Sequence, residues 1–282
     1  MAQFTNQAQL TYRDTVTNSN VAYGEIVDAL SMTKTALTST YGANDTITYI
    51  ISIINSGIAS LTNLTLTDNL GEYPFGAGTL TPLNYTQGSL KYYISGILQP
   101  TPVVTNEGNL VVSGINIPNG ENSLLVYETT VNGFAPLSEN STITNAATLT
   151  GTGVTTVTAE ETVTVNTAPQ LSITKSISPV PVSENGTVTY TFLIQNRGNT
   201  PVVATDNAFI TDLFNPILSN VTATFNGVLW TQGDEYNYNE ATGLFESVPS
   251  NITVASATFA QNADGTISVT PGVSTLVITG TI

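Results

Sequence analysis

The chain has 282 residues, with 20 acidic against 5 basic side chains, no histidine, no cysteine and a formal net charge of −15. That balance excludes nucleic acid and anionic membrane as partners, since both need basic patches. The missing residue types remove disulfides, thiol catalysis, the usual zinc ligand sets and imidazole acid–base chemistry.

Thr, Val, Ile, Asn, Ser and Tyr are abundant, and no stretch keeps an apolar period of 3.6 for three turns. The expectation is an all-β fold long enough for two domains. No apolar run is long enough to span a membrane, so no membrane insertion is expected. Met1-Ala2-Gln3-Phe4-Thr5-Asn6 carries no basic segment followed by an apolar one. The protein is therefore expected either to have lost a signal or to leave its cell without one, as by lysis of a spore's mother cell. No cofactor or metal is called for.

The first element, Phe4 to Tyr12 and on to Gly24-Glu25-Ile26-Val27, reads as a β-hairpin. Its Thr5-Asn6-Gln7-Ala8-Gln9-Leu10-Thr11 shares Thr-Asn-x-Ala-x-Leu-Thr with Thr144-Asn145-Ala146-Ala147-Thr148-Leu149-Thr150 far downstream. The hairpin therefore resembles the end of a domain whose body is missing in front of it.

Next, Leu30-Ser31-Met32-Thr33-Lys34-Thr35 recurs as Leu171-Ser172-Ile173-Thr174-Lys175-Ser176. The register holds through Thr46-Ile47-Thr48-Tyr49 against Thr187-Val188-Thr189-Tyr190, and Asn55-Ser56-Gly57 against Asn196-Arg197-Gly198. Leu64 to Leu70 then matches Ala208 to Phe214, and Tyr93 to Leu98 matches Phe225 to Leu229 more loosely. A repeat of this length predicts two homologous domains, and short alternating strands between Gly, Asn and Pro turns predict immunoglobulin-like sandwiches. The expected division is a donor hairpin over 1–29, a complete domain over 30–168 and a second domain over 169–282 that lacks its last strands. The short linker Asn166-Thr167-Ala168-Pro169 predicts domains standing nearly end to end.

Ser-x-Thr-Lys near each domain start, Thr-x-Thr-Tyr, Asn-x-Gly, Thr-Asp and the closing Thr-Asn-x-Ala resemble the conserved-repeat "domain of unknown function eleven" of Gram-positive surface proteins. The resemblance covers nearly the whole chain. It implies an Ig-like cell-surface repeat and no particular ligand.

A sandwich lacking two strands exposes an apolar groove and unpaired edge amides. The hairpin carries the strands that fit, through Phe4, Asn6, Ala8, Leu10 and Tyr12. With domains about 30 Å long and a tether from Val27 to Leu30 spanning only ~10 Å, closure onto the same chain is disfavoured. Insertion into the next copy has no such limit. It is a strand complementation that propagates head to tail as a fibre unless the rotation closes a ring.

Period-two alternation groups Leu30, Met32, Lys34 and Ala36 on one face, as it does Leu171, Ile173, Lys175 and Ile177. It likewise groups Leu66, Asp68 and Leu70; Ile210, Asp212 and Phe214; and Ile143, Asn145, Ala147 and Leu149. Each completed domain is then expected to hold an inward Lys, Asp and Asn. Burial disfavours lone charges, and a neutral lysine amine is a nucleophile. The set resembles the self-formed isopeptide bonds of Gram-positive pilins and collagen-adhesin-type domains. That resemblance implies a bond from Lys34 to Asn145 with Asp68 assisting, and from Lys175 to Asn6 of the next copy with Asp212 assisting. A buried, inert Lys–Asp ion pair with Asn as a neighbour satisfies the same placement.

The Asn-x-Ser/Thr sequons read as composition, Asp234-Glu235 and Glu160-Glu161 as solvated turns, and Tyr92-Tyr93 and Tyr236-Asn237-Tyr238 as cross-strand packing. Three functions remain in order. The first is a structural subunit of a cell- or spore-surface fibre, with copies of itself and a basal anchor as partners. The second is a monomeric adhesin or surface-layer module binding an extracellular ligand. An enzyme acting on outside substrates comes last, because no nucleophile–base set appears beyond the self-reaction.

Overall fold

The computed structural model describes residues 2–26 and 29–282; of the expected tether, residues 27 and 28 lie outside them. The fold is all-β, and its one helical element among the described residues is the 3-10 turn Ala204–Asp206. The chain divides into two compact units, residues 1–132 with 143–163, and residues 133–142 with 164–282.

The opening hairpin is two short antiparallel ladders in series. Ala2–Asn6 pairs with Ala22–Ile26, and Gln9–Tyr12 pairs with Thr15–Asn18. Asn6 faces Ala22 while Gln9 faces Asn18, so the return strand carries one extra residue between the ladders. Ser19 bridges this bulge, giving its N–H to the Ala8 carbonyl at 2.8 Å and taking the Ala8 N–H on its hydroxyl at 2.9 Å. Its apolar side chains stay in water: Phe4, Leu10, Tyr12, Val16 and Tyr23 are all more than half exposed.

The first sandwich packs two six-stranded sheets. One runs in the order Ile97–Gln99, Lys91–Ile94, Asn122–Val131, Thr46–Asn55, Leu30–Ala36, with Leu83–Tyr85 also paired to Asn122–Val131. The other runs Val103–Glu107, Asn109–Ile117, Leu61–Asp68, Thr142–Thr150, Val157–Val165, Thr40–Tyr41. Strict alternation makes this core. Ile47, Tyr49, Ile51 and Ile53 point inward from one sheet, and Leu64, Leu66, Leu110 and Val112 from the other, all essentially inaccessible.

The second unit repeats the first sheet as Leu171–Ser178, Thr187–Asn196, Gly272–Thr281, Ser219–Phe225, Val228–Leu229. The three-stranded sheet Thr211–Leu213, Leu244–Ser247, Tyr236–Asn239 shares a core with it through Tyr236, Tyr238 and Phe245, and Thr258–Gln261 pairs separately with Ile267–Thr270. Its core gathers Tyr190, Phe192, Phe214, Phe225, Trp230 and Phe245.

Two details show the repeat at atomic level. Asn55 and Asn196 are fully buried, and each folds a loop by donating its amide onward, to Ala59 and to Thr200, while taking the N–H of Gly57 or Gly198. The turns Ser95-Gly96 and Asn226-Gly227 both place two residues at positive φ, the two-residue hairpin geometry that matches strand twist.

The copies differ at one edge. In the first unit Leu61–Asp68 is flanked by Asn109–Ile117 and by Thr142–Thr150. In the second, Thr211–Leu213 pairs with Leu244–Ser247, and among the described residues no strand pairs with its other edge.

Candidate functional site

The first sandwich brings Lys34, Asp68 and Asn145 into one buried cluster. Leu30–Ala36 pairs with Thr46–Asn55 so that Lys34 stands opposite Ile51 and points inward beside Met32. Asp68 is the last residue of its strand and Asn145 the fourth of Thr142–Thr150, and both are fully buried. The Lys34 ammonium meets Asp68 Oδ2 at 2.5 Å, with no accessible side-chain surface on either residue. It also lies 4.8 Å from the centre of the Tyr49 ring.

Three further groups complete the cluster. Tyr127 donates its hydroxyl to the same Asp68 oxygen, and the Leu70 N–H donates to Asp68 Oδ1 at 2.9 Å. Gly71 donates its N–H to Asn145 Oδ1 at 3.2 Å. That bond depends on glycine: Gly71 sits at φ +76°, and a Cβ there would lie 2.6 Å from the Ile143 side chain. The Asn145 carboxamide acts on the acidity of both the Tyr49 and the Tyr127 hydroxyls, yet Asn145 Nδ2 and Tyr49 Oη make no hydrogen bond of ordinary geometry.

Burial sets the electrostatics. Desolvation pulls the Lys34 amine down to about 8, against the opposing pull of the Asp68 charge and hydrogen bond and of Glu161. Desolvation holds the Tyr49 and Tyr127 hydroxyls above the usual phenol range, with the Asp68 charge adding to it. A lysine that loses its proton easily, next to an acid and an amide whose oxygen already takes an N–H, has the parts for acyl transfer from asparagine to lysine.

The second unit holds the same lysine and acid without the cover. Lys175 pairs with Asp212, and its ammonium lies 4.6, 5.0 and 5.3 Å from the ring centres of Tyr190, Phe214 and Phe192. The side chains are 38% and 18% exposed, against none in the first site. The strand carrying Lys175 is exposed along its whole length, with Leu171, Ile173 and Ile177 between 42% and 52% accessible. The expected inward face is there, but among the described residues no strand covers it, whereas in the first unit Thr142–Thr150 takes the equivalent place.

Asn6, the expected partner of Lys175, ends the first ladder of the hairpin and is exposed, as are Phe4, Ala8, Leu10 and Tyr12. Phe4 and Asn6 lie in one ladder and Leu10 and Tyr12 in the other, with Ala8 at the bulge between them.

No family model matches the chain, and no curated protein does, so the repeat-family resemblance rests on its motifs. Solved structures similar to it include three pilus subunits. The major pilin subunit BcpA of Bacillus cereus is 14% identical over 95% of this chain and 73% of its own, with a TM-score of 0.38. The full-length major pilin SpaD of Corynebacterium diphtheriae is 13% identical over 85% and 58%, at 0.36. The pilus backbone RrgB of Streptococcus pneumoniae is 14% identical over 86% and 55%, at 0.34.

Sequence patterns found the lysines, the acids and Asn145, because each sits on a readable alternating face. Tyr49, Tyr127 and Gly71 escaped. The tyrosines look like core aromatics in their strands, and Gly71 looks like a turn glycine. One signal was available for Tyr127: a phenol in a buried strand needs a hydrogen-bond partner.

Proposed function

We propose that this protein is a structural subunit of a cell- or spore-surface fibre. The hairpin of one copy lies along the open edge of Thr211–Leu213 in the next copy, and the joints and first domains are locked by Lys–Asn amide bonds. The observation that carries the reading is the contrast between the two lysine strands. Leu30–Ala36 is covered and its Met32 and Lys34 are buried, while Leu171–Ser178 is uncovered and its Leu171, Ile173 and Ile177 face water.

The occupant is a second copy because the hairpin shares its pattern with the strand that covers the first site. Phe4, Asn6, Ala8 and Leu10 stand where Ile143, Asn145, Ala147 and Leu149 stand in Thr142–Thr150, and those four are all buried. Laid in the same register, Asn6 comes to Lys175 and Asp212 as Asn145 comes to Lys34 and Asp68. The hairpin's apolar side chains, exposed in a single copy, would be buried in the joint, at about 25 cal/mol per Å² of apolar surface. Main-chain pairing along the edge would add directionality.

The test is electron microscopy and denaturing electrophoresis of the purified chain. Filaments that resist boiling in detergent, are lost on deletion of residues 2–26, and fall to monomers after Asn6→Ala are expected. A wild-type chain that stays monomeric at high concentration would sink the assembly. A polymer that boiling fully disperses would sink the covalent joint alone.

A further inference from the structure

The cluster in the first sandwich contains a hydroxyl that the lysine, acid and amide do not account for. Tyr127 donates to Asp68 Oδ2, the oxygen that holds Lys34, and the Asn145 carboxamide is close enough to act on its acidity. Asn145 Nδ2, the nitrogen that would leave, is buried and has no hydrogen-bond partner of its own. We infer that Tyr127 is a catalytic proton relay from Asp68 to the leaving nitrogen of Asn145, and that the second site, which has Ile278 in its place, lacks that relay. The inference rests on the amide-bond reading above and adds a role and a rate order to it.

The equivalence of Tyr127 and Ile278 follows from register. Tyr127 pairs across its sheet with Tyr49, and Ile278 pairs in the same way with Tyr190, the repeat partner of Tyr49. Beside their difference in cover, the two lysine–acid pairs therefore differ at this position of the central strand, where the first has a tyrosine hydroxyl bonded to the acid and the second an aliphatic side chain. Asp68 takes both Lys34 and Tyr127 on Oδ2 and the Leu70 N–H on Oδ1, whereas the hydrogen bond at Asp212 is from Lys175.

The step balances as follows. A proton moves from the Lys34 ammonium to Asp68, leaving a neutral amine and a carboxylic acid. Lys34 Nζ attacks Asn145 Cγ and the new C–N bond forms. The carbonyl electron pair moves onto Oδ1, where the Gly71 N–H already points. Asp68 passes its proton to Tyr127 Oη as the Tyr127 proton goes to Asn145 Nδ2, and Asp68 recovers a proton from Nζ. The pair on Oδ1 returns to re-form the Cγ carbonyl as the Cγ–Nδ2 bond breaks, that bond's pair stays on nitrogen, and ammonia leaves. Tyr127 ends as a neutral phenol and Asp68 as an acid.

A tyrosine hydroxyl suits this position. The high phenol pKa that burial imposes keeps it protonated, so it can give a proton only when it receives one at the same time. In the second site the Tyr190 phenol feels the Asp212 charge, but among the described residues no hydroxyl is hydrogen-bonded to Asp212, and the proton for the leaving nitrogen must come directly or through water. The first domain is then sealed soon after it folds, and the intersubunit joint closes later and more slowly.

The test follows ammonia loss by intact mass against time after cell-free synthesis of the full chain, in an Asn6→Ala background that isolates the first site. Tyr127→Phe keeps the ring and removes only the hydroxyl. It is expected to slow the loss on the order of 100-fold, the lower range for general acid–base catalysis, with a wild-type near-ultraviolet circular dichroism spectrum. The reciprocal change, Ile278→Tyr in the otherwise native chain, is expected to speed the appearance of boiling-resistant joints, a gain that a packing role would not produce. If the Asn6→Ala chain never loses ammonia, the amide-bond reading falls and takes the relay with it. If it does, but Tyr127→Phe loses ammonia at the same rate or Ile278→Tyr leaves joint formation unchanged, the relay alone is overturned.

Discussion

Asp68 and Ala147 stand opposite each other in the sheet, and that one register pair puts Asn145 across from Leu70, just past the end of the acid's strand. The chain turns there, so the N–H groups of Leu70 and Gly71 come round to Asp68 and Asn145 respectively. Removing the acid should therefore do two separable things. Asp68→Ala should abolish ammonia loss from the first site. In an Asn145→Ala background, where no bond forms in either chain, it should also cost roughly 3–5 kcal/mol by leaving a buried ammonium unpaired. Urea unfolding of the matched pair measures the second effect.

Gly71→Ala probes the amide-holding N–H. The substitution forces a side chain into positive φ and against Ile143, so about 1–3 kcal/mol of strain is expected. Any local shift moves the donor off Asn145 Oδ1, and intact mass should show slower bond formation than the stability loss explains.

The self-reaction should have a defined pH dependence. The reactive state needs one proton shared between Lys34 and Asp68, with the amine neutral and the acid protonated at the moment of attack. Burial places the amine near 8, so that shared proton is present below this value and lost as pH rises through it. Asp68 and Glu161 oppose this shift, while Tyr49 and Tyr127 ionise only above the normal phenol range. The rate of ammonia loss in the Asn6→Ala chain should accordingly fall above about pH 8. A rate that climbs steadily from pH 7 to 10 would show that a free amine, without the acid's proton, is the reactive form.

The groove can be blocked without touching the chemistry. Ile173 is 52% exposed on the uncovered strand, so Ile173→Asp should change the stability of the second domain by no more than about 0.5 kcal/mol. In a joint it would bury a charge against the incoming hairpin, and polymer yield on sedimentation should collapse. Normal filaments from this variant would place the joint elsewhere.

Much of this architecture was legible because β-structure writes itself in period two. Lys34, Asp68 and Asn145 each fall on an alternating apolar face, and the spacing between the repeats aligned the second set with the first. The open state of the second site could be read only as strands lacking a counterpart. How far Lys175 would emerge depended on the lid, which contributes no residue to its own strand. Tyr127 and Gly71 were hidden for another reason. A tyrosine in a buried strand has the same pattern whether its hydroxyl meets a carbonyl or a catalytic acid, and a turn glycine does not say what its N–H will touch. The break at Gln7-Ala8 was likewise invisible, since it comes from one surplus residue in the opposite strand.

The hairpin groups with one compact unit and the open edge belongs to the other. In the proposed fibre, a chain stripped of its hairpin could still accept a neighbour but could not enter one, so it would act as a terminator. Doping it into the native subunit would set mean filament length by the ratio of the two, and growth would have a direction from the first joint onward.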